Sequence, residues 1–223
     1  MKLLAIDTST ENASIALLLG NKLVHVEQGN QKTHAQFLLP MIDKLMVDAG
    51  ATMNQLDAVV FGCGPGSFTG LRIACSIAKG LAYAHDLDLI PVSSLSSIAW
   101  VARQHQSVDQ SLPVLAVLDA RMHEMYWACF AKEQFTGEER VNAVKDIYLP
   151  EPKPVVLAGV GIDEYWPDFP ETIKAQVSTR ITVYPSAAAM IQLVQAIDIK
   201  PVSAAEAQPV YVRNKVTYGD SRG

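Results

Sequence analysis

The run Gly62-Cys63-Gly64-Pro65-Gly66-Ser67-Phe68-Thr69-Gly70-Leu71-Arg72 lies between two apolar segments. Before it, Ala58-Val59-Val60-Phe61 reads as a buried strand. After it, Ile73 to Ala82 reads as a tightly packed helix. A glycine-rich strand-to-helix turn exposes backbone N–H groups at a helix N-terminus. It suits either an anion or the close approach of another backbone. The run does not match the phosphate loop GxxxxGK followed by Ser or Thr, because Leu71 and Arg72 follow Gly70. It does not match GxGxxG either, since Gly70 falls one place late. Gly64, Pro65, Gly66, Ser67 and Gly70 are therefore candidate residues of a structural loop, with the ligand-binding reading left open beside it.

Working outward, Leu3 to Asp7 is a short strand ending on a carboxylate, and Asp7 to Asn12 is a polar turn. Ala13 to Leu19 and Leu23 to Gln28 are strands joined by the Gly20-Asn21 hairpin. Thr33 to Ala49 has helical period, with Leu38, Ile42, Leu45 and Ala49 on one stripe and Phe37 and Met41 starting a second; Pro40 inside it predicts a kink or a late start. Leu56 to Phe61 is a strand, Thr69 to Ala84 a helix, Leu89 to Val92 a strand, and Ser93 to Gln104 a helix capped by Ser93 or Ser94. The pattern then repeats. Pro113 to Asp119 again ends on an Asp, followed by strands at Met125–Ala131, Arg140–Val144, Pro154–Ala158 and Ile181–Tyr184, and a helix at Ser186–Ile199. Three hairpin-linked strands followed by alternating helix and strand, twice over, predict an α/β protein of two lobes, residues 1–108 and 109–223, each with a mixed sheet between helices.

Composition narrows the function. Hydrophobic residues make up 49% of the 223 and charged residues 18%, an ordinary globular balance. A net charge of −5 argues against a chain that holds nucleic acid unaided. Cys63, Cys75 and Cys129 are sparse and odd in number, which suits reduced thiols in a cytoplasm. No apolar run reaches membrane-spanning length, and the opening Met1 to Asp7 reads as a strand rather than a signal peptide.

Five segments carry a resemblance: Leu4-Ala5-Ile6-Asp7-Thr8-Ser9-Thr10, Lys32-Thr33-His34-Ala35-Gln36, Gly64 to Arg72, Leu118-Asp119-Ala120-Arg121-Met122-His123-Glu124-Met125-Tyr126-Trp127, and Pro209-Val210-Tyr211-Val212-Arg213. Together they resemble the bacterial TsaB (YeaZ) family from end to end. The resemblance implies an actin/hexokinase-type fold of two ribonuclease-H-like lobes with mixed five-stranded sheets. It implies a scaffold and activator, without transferase activity of its own, in making N6-threonylcarbamoyladenosine. In that scheme a separate enzyme, TsaC, makes the threonylcarbamoyl-adenylate. The catalytic paralogue TsaD, as the heterodimer partner, transfers the carbamoyl group to adenosine 37 of tRNAs reading ANN codons, and the ATPase TsaE joins the pair. tRNA would be met only within the complex, and no membrane is involved.

Against that background the chemistry-bearing residues are few. The paralogue carries a His-x-x-x-His pair on its first helix; here His34 is followed four residues later by Leu38, and one imidazole is not a metal site. Asp7, Thr8 and Ser9 keep the character of a vestigial phosphate loop, but Ala120-Arg121-Met122 follows Asp119 where nucleotide binders of the fold place glycines. No cofactor is expected beyond weak ATP or ADP binding, the metal and main nucleotide sites being expected on the partner. Ser67 lacks GxSxG spacing and an assignable base. The helix after the glycine-rich run is apolar on nearly every side. His34, Phe37, Leu38, Met41, Leu45, Gly70, Leu71, Ala74, Ile77, Ala78 and Leu81 are therefore candidate partner-interface residues, a surface that could also self-pair. Arg213, Lys215 and Arg222 give the tail a basic bias, read first as solvated. The rival reading is an enzyme of the same fold, either ATP-dependent and kinase-like or a glycoprotease-like peptidase.

Overall fold

The computed structural model describes residues 1–29, 34–149 and 151–213. Its first sheet is built from β1 (Lys2–Asp7), β2 (Ala13–Leu19), β3 (Lys22–Gln28), β4 (Ala58–Gly64) and β5 (Asp88–Ser93), in the order β3-β2-β1-β4-β5. β1 to β3 form an antiparallel meander, and β4 and β5 join β1 in parallel. The crossovers are α1 (His34–Asp48) and α2 (Phe68–His85), and α3 (Ser94–Gln104) follows β5. The second sheet repeats the scheme with β6 (Val114–Asp119), β7 (Glu124–Phe130), β8 (Arg140–Ala143), β9 (Val155–Gly159) and β10 (Val177–Thr182), ordered β10-β9-β6-β7-β8. Two short helices, α4 (Ile162–Tyr165) and α5 (Glu171–Lys174), precede β10, and α6 (Ala187–Ala196) closes the series. Two mixed five-stranded sheets give the two-lobed α/β architecture expected.

Side-chain alternation along the strands explains how the layers stack. Leu4 and Ile6 of β1, Ile15 and Leu17 of β2, and Val59 and Phe61 of β4 point outward, into a core shared with α1 and α2. Their neighbours Leu3, Ala5, Ala16, Leu18, Ala58 and Val60 point the other way. There they meet Leu95, Ile98 and Ala99 of α3, Met190 and Ile191 of α6, and Val114, Ala116 and Phe130 of the second sheet, in one continuous core. β1 is buried on both faces from Leu3 to Asp7, as an unbroken apolar run requires. The far face of the second sheet, with Trp127, Val117 and Leu157, is covered by Ile162, Tyr165 and Ile173 of the short helices. The order is thus helix, sheet, helix, sheet, helix. α3, from the first lobe, packs on β6, β7 and β9, while α6, from the second, packs on β1, β2 and β4. A boundary at 108/109 separates the two sheets but runs through their common core.

The structure settles several element boundaries. α1 runs through Pro40, at the cost of one intrahelical bond. Ser93 is the α3 cap, accepting from the N–H groups of Leu95 and Ser96 at 3.1 and 3.2 Å. β10 begins four residues before the expected strand, and α4 and α5 were unanticipated. Among the described residues no helix is long and apolar enough to cross a membrane.

Candidate functional site

The C-terminal ends of β1, β4 and β6 open on a cleft of about 910 Å3 between the lobes. One wall is Ser9 to Glu11 and the glycine-rich run from Pro65 to Leu71; the other is Leu118 to Arg121 with Tyr126, Val160 and Gly161. Residues 210–213 close one side.

On the first-lobe wall the glycine-rich run docks on the β1–β2 turn, backbone against backbone. Ser67 N donates to Ser9 O at 2.7 Å, and the Thr8 hydroxyl donates to Gly70 O at 2.7 Å. A Cβ on Gly70 would run into the Thr8 carbonyl, so this approach admits no side chain there. Ser67 caps α2, its hydroxyl accepting from Gly70 N at 3.3 Å. Gly64 ends β4, while Pro65 and Gly66 line the cleft. The close approach of another backbone is what the run is built for here.

That docking seals Asp7. Its Oδ1 accepts from Ser9 N at 3.1 Å and from the Ser9 hydroxyl at 2.8 Å. Its Oδ2, pressed against the backbone of Gly62, is buried without a hydrogen-bond partner among the described residues. Loss of water pushes the carboxyl up from 3.8 to about 6, against the opposing pull of the Ser9 bonds. Asp7 and Thr8 are fully enclosed, and of the three expected phosphate-loop residues only Ser9 lines the cleft. Beside Asp7, burial pushes the Cys63 thiol up to about 12, with Glu139 adding to the effect, so no thiolate nucleophile forms there. Glu139, raised by burial in turn, accepts the Ser93 hydroxyl.

The second-lobe wall solves the same problem differently. Asp119 Oδ1 accepts from Arg121 N at 2.7 Å, and its Oδ2 pairs with the Arg121 guanidinium at 3.0 Å. Arg121, Met122 and His123 then adopt left-handed backbone in succession, with φ of 63°, 59° and 58°. Each such non-glycine residue costs about 1 kcal/mol or more. All three side chains are exposed. The turn is held by Glu124 N to Arg121 O, Ala120 N to Glu124 O and Val144 N to His123 O, each 3.0 to 3.1 Å.

On the outer layer the structure divides the expected interface residues. Leu38, Leu45, Gly70, Leu71, Ala74 and Ala78 are buried in the first lobe's own core and offer no docking surface. Small residues at 74 and 78 let α2 approach its own sheet rather than a second helix. Phe37 is 40% exposed, Met41, Ile77 and Leu81 are half-buried, and Ser76, Gly80 and Tyr83 are exposed, Tyr83 to 85%. His34 begins α1; its side chain lies outside the described residues. Arg213 is not solvated, since it contacts Glu124 and the Ala120 carbonyl; Lys215 and Arg222 lie outside the described residues. Among the described residues no three His, Cys, Asp or Glu side chains form a group able to hold a metal ion.

Comparison with known proteins places this architecture. A sequence model of TsaD, tRNA N6-adenosine threonylcarbamoyltransferase, matches residues 26–200. The tRNA threonylcarbamoyladenosine biosynthesis protein TsaB of Haemophilus influenzae is 34% identical over 98% of this chain and 96% of its own. Its Escherichia coli namesake is also 34% identical, over 98% of this chain and 97% of its own. The solved structure of YeaZ from Pseudomonas aeruginosa superposes with a TM-score of 0.83 at 33% identity, covering 94% of this chain and 99% of that one. With its two actin-like lobes and near-complete overlap with these relatives, the chain belongs to the TsaB (YeaZ) family of tRNA threonylcarbamoyladenosine biosynthesis proteins.

Proposed function

We propose that this chain serves threonylcarbamoyladenosine biosynthesis as a non-catalytic subunit, a scaffold and activator for the catalytic paralogue TsaD. The observation that carries the reading is the fate of the two strand-end carboxylates. In a nucleotide-binding member of the fold these would face metal and phosphate. Asp7 is enclosed, with one oxygen on Ser9 and the other against Gly62; Asp119 is engaged by Arg121. Neither turn suits a phosphate group, so the chain would turn over no ATP of its own. Position 38, where a second imidazole would complete a metal pair on α1, is a fully buried leucine.

The docking face in this reading is the outer side of α1 and α2. Gly80 supports it. A Cβ at that position would meet nothing within 4 Å, so the isolated chain has no use for a glycine that weakens its helix by about 0.5–1 kcal/mol. With Ser76 and Ala84 a turn to either side, it leaves a shallow track that a second helix could enter closely. TsaD shares the domain pattern over residues 26–200, so like helices would pair about a local two-fold. The same face would join two copies of this chain when the paralogue is missing. The ATPase TsaE would seat on the joint surface, tRNA would be met only in the assembly, and the work would be cytoplasmic.

The test is reconstitution of tRNA threonylcarbamoylation with TsaC, TsaD and TsaE, with and without this chain, alongside its own ATP turnover. Modification should require the chain, and its own turnover should be negligible. Gly80→Arg should abolish pairing and modification at unchanged fold, because the position is open in the free chain. Transferase activity or brisk ATP hydrolysis by the chain alone, or a pair that survives Gly80→Arg, would overturn the reading.

A further inference from the structure

Residues 203–213 lie outside every helix and strand, yet they are fastened at each stage of their path. Val202 bridges the free edge of β5 through paired bonds with Leu89 of 2.8 and 2.9 Å. Lys79 Nζ on α2 donates to Ala207 O at 3.1 Å. Val210 N donates to Cys63 O, inside the glycine-rich run, at 2.7 Å. Arg72 Nε on α2 donates to the Tyr211 hydroxyl at 3.0 Å, with its guanidinium 3.7 Å from the centre of the Phe68 ring. All of these anchors belong to the first lobe. The last belongs to the second: Arg213 Nη2 donates to Ala120 O at 3.0 Å and pairs with Glu124, gripping both ends of the left-handed turn.

We propose that this segment is a latch across the cleft: Arg213 is a positioning residue that holds the strained Arg121–His123 turn, and Arg72 and Tyr211 transmit the state of the α2 face to it. Three left-handed residues in succession persist only where their surroundings over-determine them. Beside the turn's own backbone bonds, part of that restraint comes from Arg213, on a segment fastened to the first lobe. Arg213 is largely enclosed, with its side chain at 17% exposure, and its Nη2 reaches a carbonyl and a carboxylate at once. At the other end, Phe68 and Tyr211 are partly exposed beside Arg72, on the cleft side of the face assigned above to TsaD. Docking there would tighten or release Tyr211, and the displacement would reach Arg213, two residues further along the chain, and through it Ala120. This consequence rests on the proposed pairing; the latch itself does not.

Amide hydrogen exchange of the full chain, read by mass spectrometry, tests it without a partner. Arg213→Ala should speed exchange over residues 119–125 at least tenfold while β6 and β9 keep their protection. Arg72→Ala, more distant, should speed exchange both over 208–213 and over 119–125. An unchanged turn in Arg213→Ala, or uniform acceleration throughout both sheets, would overturn Arg213 as a positioning residue. An Arg72→Ala effect absent from 119–125 would overturn the transmission. The latch can fail while Gly80→Arg still breaks pairing, and the reverse, so the two readings fall separately.

Discussion

The turns after β1 and β6 occupy equivalent places in the two lobes, and each begins on an aspartate. The first is buried beneath a glycine-rich backbone that leaves its carboxylate enclosed and raised. The second keeps its carboxylate largely covered and neutralised by its own arginine, in a turn strained through three exposed residues. One fold position thus reaches two ends. The first turn is closed by backbone fit, so it is intolerant of added atoms. The second is held by its own backbone bonds and by Arg213, on a segment fastened to the first lobe, so it can be loosened without touching a core. Asp7 is withdrawn from the cleft altogether, whereas Asp119 lines it with its carboxylate engaged by Arg121.

Substitutions sharpen that contrast. The largest effect is expected for Gly70→Ala, which drives a methyl into the Thr8 carbonyl and breaks the Thr8–Gly70 bond. A loss on the order of 3 kcal/mol is expected by urea unfolding. A loss below 1 kcal/mol would mean the first turn is as adaptable as the second. Next is Asp7→Asn, expected to stabilise. The folded carboxyl titrates near 6 against 3.8 when free, so the fold favours its protonated form. The penalty is absent below about pH 4, grows as pH rises toward 6 and is complete above it. The difference corresponds to about 3 kcal/mol at most. Denaturation at pH 4 and pH 7.5 should show a gain for the variant only at the higher pH; equal gains at both would remove burial of charge as the cause. The smallest is Met122→Gly in the exposed turn. It relieves one left-handed residue and should raise stability by about 1 kcal/mol, whereas a loss would show that Met122 packs in a way its exposure does not suggest.

Much of the fold was legible along the chain. Alternation and apolar runs located β1 to β9 to within a few residues. The Asp-terminated strands at 7 and 119 marked the two repeats. β10 was displaced because its alternating Val177-Ser178-Thr179-Arg180-Ile181-Thr182 reads weakly beside the more apolar stretch after it. The four-residue α4 and α5 are too short to show a period. The site was harder to read. α2 carries Leu71, Ile73, Ala74, Ile77, Ala78 and Leu81 on adjoining stripes, and no period among them says which stripe meets the sheet. Burial gives 71, 74, 75, 78 and 82 to the chain's own core and leaves 76, 80 and 83 outside. Arg213 looked like a charge on a polar tail because its partners, Glu124 and Ala120, lie about ninety residues away in sequence.

Residue order and type were enough to establish two α/β repeats, a glycine-rich turn before α2 and membership of a tRNA-modification family, because those signals are local and periodic. Which side of α2 is free, why Asp7 is enclosed, and how the last described residues bind one lobe to the other depend on distances between segments remote in sequence. Periodicity carries no information about such distances; burial and geometry supply it.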